Sequence, residues 1–463
     1  MIYVLQSRWK VECGCLQYYG LRAMPNMFKN KVRLTHAQQR IVDRLPSELS
    51  DGELRILKRL VGVQIVPEAQ RRKIPTRLAD AQFCKSCVAN DFMIPGLEFD
   101  TDGICPLCRT KEDTASLRSV VPVMNTFARA KGSRFDVALF YTGGKDSTYL
   151  LYELAKKQGL RVLALTWEIP YMSESAKKSI EGAKRSLASV EFVTRKISDA
   201  DLRTVYRELY ARSGNACACP SLAYVLFYPE LVANRVPYFV VGNEPAQILG
   251  LYYNHMAPRM AYSFAGNRLL HALINVGRVL TLHPPLKKGQ FQTLATMSQL
   301  AHGTNPLVRL SPYRNPLVEN VVASIHKVPM LVKPLKRALR TSSWSGHIPA
   351  FVQVDLDEVS GGRYDWRAIA NVIERECGWV PPSNIGKGLH TSCNIERCKE
   401  HTQFVRFYNM QSDMIPFSAL ELALASRDGS ITRENARKEL EQEIGFSLEE
   451  IAECAVMREY FEA

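Results

Sequence analysis

Two kinds of hydrophobic pattern alternate between residues 113 and 300. Apolar, β-branched runs at 136–142, 160–168, 190–197 and 236–242 are each bounded by turn residues, with helical stretches between them. Unbroken apolar runs of this length suit strands covered on both faces, so the pattern predicts an α/β fold with a doubly wound parallel sheet. Residues 1–80 read differently. They are polar, with Ile41, Leu45, Leu54, Ile56, Leu57 and Leu60 at helical spacing and Ser50 and Asp51 as capping candidates. A strand-like run from Val61 to Val66 follows, which predicts an N-terminal helical or winged-helix-like element. From 346 onward the pattern turns mainly helical, and Ser430 or Thr432 can cap the charged helix near the end. Four regions result: 1–80, a cysteine-rich knuckle at 81–112, the α/β domain at 113–345, and a helical region at 346–463.

Composition changes this picture little. With 46% hydrophobic and 23% charged residues the chain has the make-up of an ordinary globular protein. The net charge of +14 favours phosphate-bearing partners such as nucleotides, nucleotide-sugars or tRNA. The cluster Lys333, Lys336, Arg337 and Arg340 reads as a solvated helix face. No apolar run is long enough to span a membrane. The first twenty residues lack the features of a signal peptide, so a cytoplasmic location is expected and close cysteine pairs suggest metal or redox chemistry rather than disulfides.

The turn after the first strand carries the most chemistry: Thr142, Gly143, Gly144, Lys145, Asp146 and Ser147. Paired glycines let backbone N–H groups approach a ligand, and the following helix aims its positive end at the same point, which makes an anion nest. Lys145 adds a charge, Asp146 can hold Mg²⁺, and the Ser147 and Thr148 hydroxyls can donate to phosphate or cap the helix. The spacing fits neither a Walker A loop nor a dinucleotide fingerprint. A second strand end, Gly242-Asn243-Glu244, lies where open α/β sheets place ligands, and Glu244 could hold Mg²⁺ or touch substrate.

The turn resembles the pyrophosphate loop of the N-type ATP pyrophosphatases, Ser-Gly-Gly-x-Asp-Ser, with Thr142 in the place of the first Ser. That resemblance implies an adenine nucleotide alpha hydrolase-like (HUP) fold and cleavage of ATP to AMP and pyrophosphate. It implies ATP contacts at Thr142, Gly143, Gly144, Lys145, Ser147, Thr148 and Gly242, and a second phosphate-binding lysine at Lys287 or Lys288. The segments "CKSCVANDFMIPGLEFDTDGICPLC" and "GWVPPSNIGKGLHTSCNIERCKE" resemble the N-acetyl sugar amidotransferase branch, over about residues 84–450. Amidation then implies a nucleotide-linked or other sugar acceptor of surface polysaccharide synthesis. The nitrogen must come from a separate glutaminase subunit or free ammonia, because neither glutaminase signature occurs in the chain.

Cys84-x₂-Cys87 and Cys105-x₂-Cys108 have the spacing of a closed four-thiolate site, so structural Zn²⁺ is expected there. Cys217, Cys219, Cys393 and Cys398 are candidates for a persulfide or a [4Fe–4S] cluster, which gives a rival reading: sulfur transfer to tRNA or another acceptor, a peptide included. A nucleotide-binding sensor on the same fold is the non-enzymatic alternative.

Overall fold

The computed structural model describes residues 1–21, 30–110, 132–214, 218–254, 268–287, 289–303, 316–362, 364–382, 393–394 and 396–462. Two compact units result, Met1–Lys111 with Glu400–Ile451, and Glu112–Lys399 with Ala452–Ala463.

In the first unit the N-terminal residues are chiefly β rather than helical. Strands β1 (Ile2–Leu5), β5 (Ser47–Glu48) and β6 (Ile65–Pro67) form one antiparallel sheet, with β1 in the middle. Strands β2 (Trp9–Glu12), β3 (Cys15–Tyr18) and β4 (Lys31–Arg33) form another. Each strand is two to four residues long, too short for its alternation to stand out from a polar background. The two helices that the spacing does predict are present, His36–Val42 and Asp51–Ile56. Each opens with a capping box, Thr35 with Gln38 and Ser50 with Glu53. Trp9, Leu16, Tyr18, Ile41, Leu57, Leu60 and Ile65 close a small core between these elements. Of the later residues, the helix Phe417–Asp428 is buried on every side from Ser418 to Ser426.

The second unit holds a five-stranded, wholly parallel sheet: β7 (Val137–Phe140), β8 (Val162–Trp167), β9 (Val190–Arg195), β10 (Tyr238–Asn243) and β11 (Ala350–Asp355). Its order is β11-β10-β7-β8-β9. The chain therefore builds outward from β7 to β9, returns to the other side of β7, and builds outward again. This reversal leaves a crevice between the C-terminal ends of β7 and β10. Helices Lys145–Tyr152, Glu174–Ser186 and Trp366–Cys377 bury Leu150, Ile180 and Ile373 in one core cluster with the sheet residues Leu139, Val240 and Val352. The four expected strands are present, each within a few residues of the predicted bounds. The boundary expected at 346 is not, because β11 lies beyond it and pairs in register with β10 from Tyr238↔Ala350 to Asn243↔Asp355.

Candidate functional site

A cavity of about 470 Å³ opens at the crevice. Its walls grade from apolar to polar. Phe140, Leu165, Trp167, Ile169, Met172 and Tyr224 line one part, while Thr142, Asp146, Ser147, Asn243 and Gln247 line another. A flat heterocycle joined to a charged group matches such a gradient. The Trp167 ring lines this wall, while its Nε1 is buried behind it with no hydrogen-bond partner among the described residues.

The loop that supplies the polar end is shaped by its glycines. Gly143 has φ +75°, and a Cβ there would lie 2.5 Å from the carbonyl oxygen of Ala176. Only glycine fits both constraints. Gly144 is the N-cap of the helix Lys145–Tyr152 and leaves the first turn without a side-chain cap. A helix start without a side-chain cap directs its positive dipole end at this loop, the geometry that attracts anions. The hydroxyls of Thr142 and Ser147 lie 3.1 Å apart, and Ser147 Oγ accepts from Thr142 N at 3.3 Å. Thr148 is completely buried and donates back to Gly144 O at 2.8 Å, so it braces the helix and does not meet the cavity.

Asp146 sits at the centre of a charged network. Its Oδ1 accepts from Lys145 Nζ at 2.6 Å and from Tyr364 OH at 2.7 Å, and its Oδ2 accepts from Gln247 Nε2 at 2.9 Å. Burial works to raise this carboxyl, but the charge of Lys145 and the three hydrogen bonds outweigh it and hold Asp146 below the ordinary aspartate value. The Tyr364 phenol is pushed well above its ordinary value by burial first and by the negative charge of Asp146 next. Of the roughly four lone-pair positions on a carboxylate, three are taken, which leaves room for one bond to Mg²⁺.

Several sequence expectations are corrected here. Lys145 does not line the cavity. Its ammonium is tied to Asp146 and lies over the rings of Tyr364 at 4.4 Å and Trp366 at 5.0 Å. Glu244 is also behind the wall, 1% exposed, with Oε2 accepting from Trp366 Nε1 at 2.5 Å. Lys287 lies toward the opposite end of the strands, near the start of β11. Two residues on, Gly289 O accepts from Phe351 N at 3.2 Å, at the start of β11, whereas the loop sits a strand length away, about 20 Å. Lys288 and Cys217 are outside the described residues. Gly242 does line the cavity, and a Cβ there would come within 2.9 Å of Leu356.

Cys219 and Cys393 both line the cavity. Cys393 is held there by its bridge to Met172, and Asn394 N donates to Tyr171 O at 2.9 Å. Cys398 is buried, and its carbonyl accepts from the Cys454 thiol. The cation in the lining is Lys399, paired with Glu396 at 2.6 Å; both residues open the helix Glu396–Tyr408. Lys399, Gln247, Tyr364, Trp366 and Trp167 belong to no sequence motif. The one signal that could have singled out the aromatic pair was their place, in "RYDW" just before the helix Trp366–Cys377.

In the first unit Cys84, Cys87, Cys105 and Cys108 converge, with all four sulfurs within 4.8 Å of one another. The Cys84–Cys108 and Cys87–Cys105 separations are 3.9 and 3.6 Å. A tetrahedron of 2.3 Å metal–thiolate bonds has edges of about 3.8 Å, so the cluster could hold a metal such as zinc. Backbone N–H groups of Ser86 and Cys105 point at Cys84 Sγ, and that of Ala89 points at Cys87 Sγ. The Arg433 guanidinium donates to the carbonyls of Cys84 and Cys87 and pins the knuckle from outside.

No helix is long and apolar enough to cross a membrane among the described residues. No protein-family model matches this chain, and no curated protein matches it.

Proposed function

We propose that the chain is an ATP-dependent, AMP-forming ligase or amidotransferase of the N-type ATP pyrophosphatase kind, on a HUP-type nucleotide domain. The observation that carries this reading is the uncapped, glycine-built helix start of Gly143, Gly144 and Ser147 beside a 470 Å³ cavity whose other wall is apolar. Adenine suits the apolar slot around Phe140, Leu165, Trp167 and Tyr224. The phosphates suit the N–H groups and hydroxyls of Thr142 and Ser147. Asp146 would hold Mg²⁺, which neutralises charge on the departing pyrophosphate. Lys145 keeps Asp146 ionised, and Lys399 takes the role expected of Lys287, a cation in reach of the leaving group. An acceptor oxygen attacks the α-phosphorus, pyrophosphate leaves, and nitrogen then displaces AMP from the adenylated acceptor. The likeness to N-acetyl sugar amidotransferases favours a sugar of surface polysaccharide synthesis as acceptor. The four-thiolate knuckle would hold structural zinc.

Cys219 and Cys393 on the same cavity wall support a second reading, in which the displacing atom is sulfur. Pyrophosphate release from ATP–Mg²⁺ across sugars, peptides and tRNA, with ammonia or sulfide supplied, tests both. The expected result is acceptor-dependent release with ammonia, reduced at least about a hundredfold in Asp146→Asn, and retained in the double variant Cys219→Ser/Cys393→Ser. Loss in that double variant together with a requirement for sulfide would install the second reading. Absence of ATP binding by calorimetry would overturn both.

A further inference from the structure

The helix Arg268–Leu280 is amphipathic the wrong way round for a packed helix. Leu269, Leu273, Val276 and Leu280 fall on one stripe, 59–79% exposed. Val279 beside the stripe and Leu282 just after it are exposed as well. Asn275 and Arg278 face inward, beside the half-buried Leu270 and Ile274. Asn275 exchanges two hydrogen bonds with Leu286, and Arg278, which is buried, donates to Pro284 O and to Ser343 O. The interior is thus satisfied by polar contacts, and the exposed leucines are left for something outside.

Arg278 leads to the neighbouring helix, Pro329–Ser345, which carries Lys333, Lys336, Arg337 and Arg340 and no acidic residue. All four are exposed and, among the described residues, none is ion-paired, although salt bridges are common elsewhere on the surface. Lys336 and Arg340 line a pocket of about 380 Å³ with His283, His302 and Ser298, and no carboxylate contributes to it. Its rim is Trp344, 57% exposed and stacked on His283 with ring centroids 4.3 Å apart.

We infer that this face docks on an anionic lipid bilayer. The apolar stripe would enter the headgroup boundary, and the cationic pocket would take a lipid phosphate. Exposed leucines on one helix, with unpaired lysines and arginines and an exposed tryptophan on the helix it is bonded to, are the residue types that meet a membrane interface. A second copy is the poorer occupant, because a two-fold interface through this face would bring two unpaired cationic helices together. Free nucleic acid would use the cations and leave the leucines in water. The inference is independent of the ATP chemistry.

Co-sedimentation of the full chain with phosphatidylcholine vesicles, with and without phosphatidylglycerol, tests it. Binding is expected only with phosphatidylglycerol and should weaken with salt. Lys336→Glu/Arg340→Glu should lower affinity by about fivefold or more per cation, and Leu273→Gln/Val276→Gln should abolish binding with an unchanged circular dichroism spectrum. Equal binding to neutral vesicles, binding to neither, or full binding by both variants would overturn the inference. So would light scattering that shows a dimer, lost in the leucine variant, with no vesicle association.

Discussion

Asp146 is held in its charged form chiefly by Lys145, a side chain that does not itself face the cavity, and this has a measurable consequence. Lys145 is the principal opposition to burial at this carboxyl. In Lys145→Met the burial effect is left unopposed by charge, so the Asp146 value must rise. If the carboxylate is the working form, the acid limb of the activity profile moves to higher pH in the variant, and a pH–rate series compared with wild type reads it directly. The stability side has the same sign. A group whose folded value is depressed stabilises above its unfolded value and loses that contribution as pH falls through the folded one. The Asp146 contribution is therefore constant near neutrality and fades only below the ordinary aspartate range. At this scale the sequence was a partial guide. Gly143, Gly144 and Ser147 were legible because backbone conformation and hydroxyl placement follow from residue type and local order. The roles of Lys145 and Glu244 were not, because the direction of a side chain depends on Tyr364 and Trp366, more than a hundred residues further along.

Strands β7 and β8 were readable as apolar runs buried along nearly their whole length, and β9 and β10 as β-branched runs between turn residues. Strand β11 was not: "AFVQVD" is buried almost throughout, but Gln353 and Asp355 break its apolar run. The N-terminal strands were missed for a different reason, being short and solvated on one side. The cysteine knuckle was legible because four thiolates at C-x₂-C spacing admit few other arrangements, and the structure adds the brace from Arg433. A closed tetrahedral site fails as a unit, so Cys84→Ser should release about one metal ion per chain and lower the melting temperature of the first unit. Metal analysis with thermal denaturation, before and after a chelator, gives the readout. A metal-free chain with unchanged melting would refute the site.

The molecule as a whole presents two candidate sites, one in each unit, and each should answer to its own ligand. Anything that binds only the folded state stabilises it by mass action. Hydrogen exchange should therefore slow around 140–151 and 240–247 when ATP and Mg²⁺ are added. Chelation should instead speed exchange around 84–108. Protection at neither place would separate the fold, which stands, from the ligands proposed for it. The basic balance of +14 was plain in the sequence, but its distribution was not. The cluster at Lys333, Lys336, Arg337 and Arg340 reads alone as a solvated face, and only its place beside an outward-facing leucine stripe gives it another meaning.

The bond from Arg433 to the knuckle has a consequence for biosynthesis. Cys84, Cys87, Cys105 and Cys108 leave the ribosome together, while the guanidinium that pins their carbonyls follows roughly 320 residues later. At about 5–20 residues per second that is a wait of roughly 15–60 s. If the four thiolates take up zinc as proposed, the nascent knuckle would rely through that interval on the metal and its local N–H···S bonds, and a zinc-poor cell would leave four reduced thiols open to oxidation before their last brace has been translated.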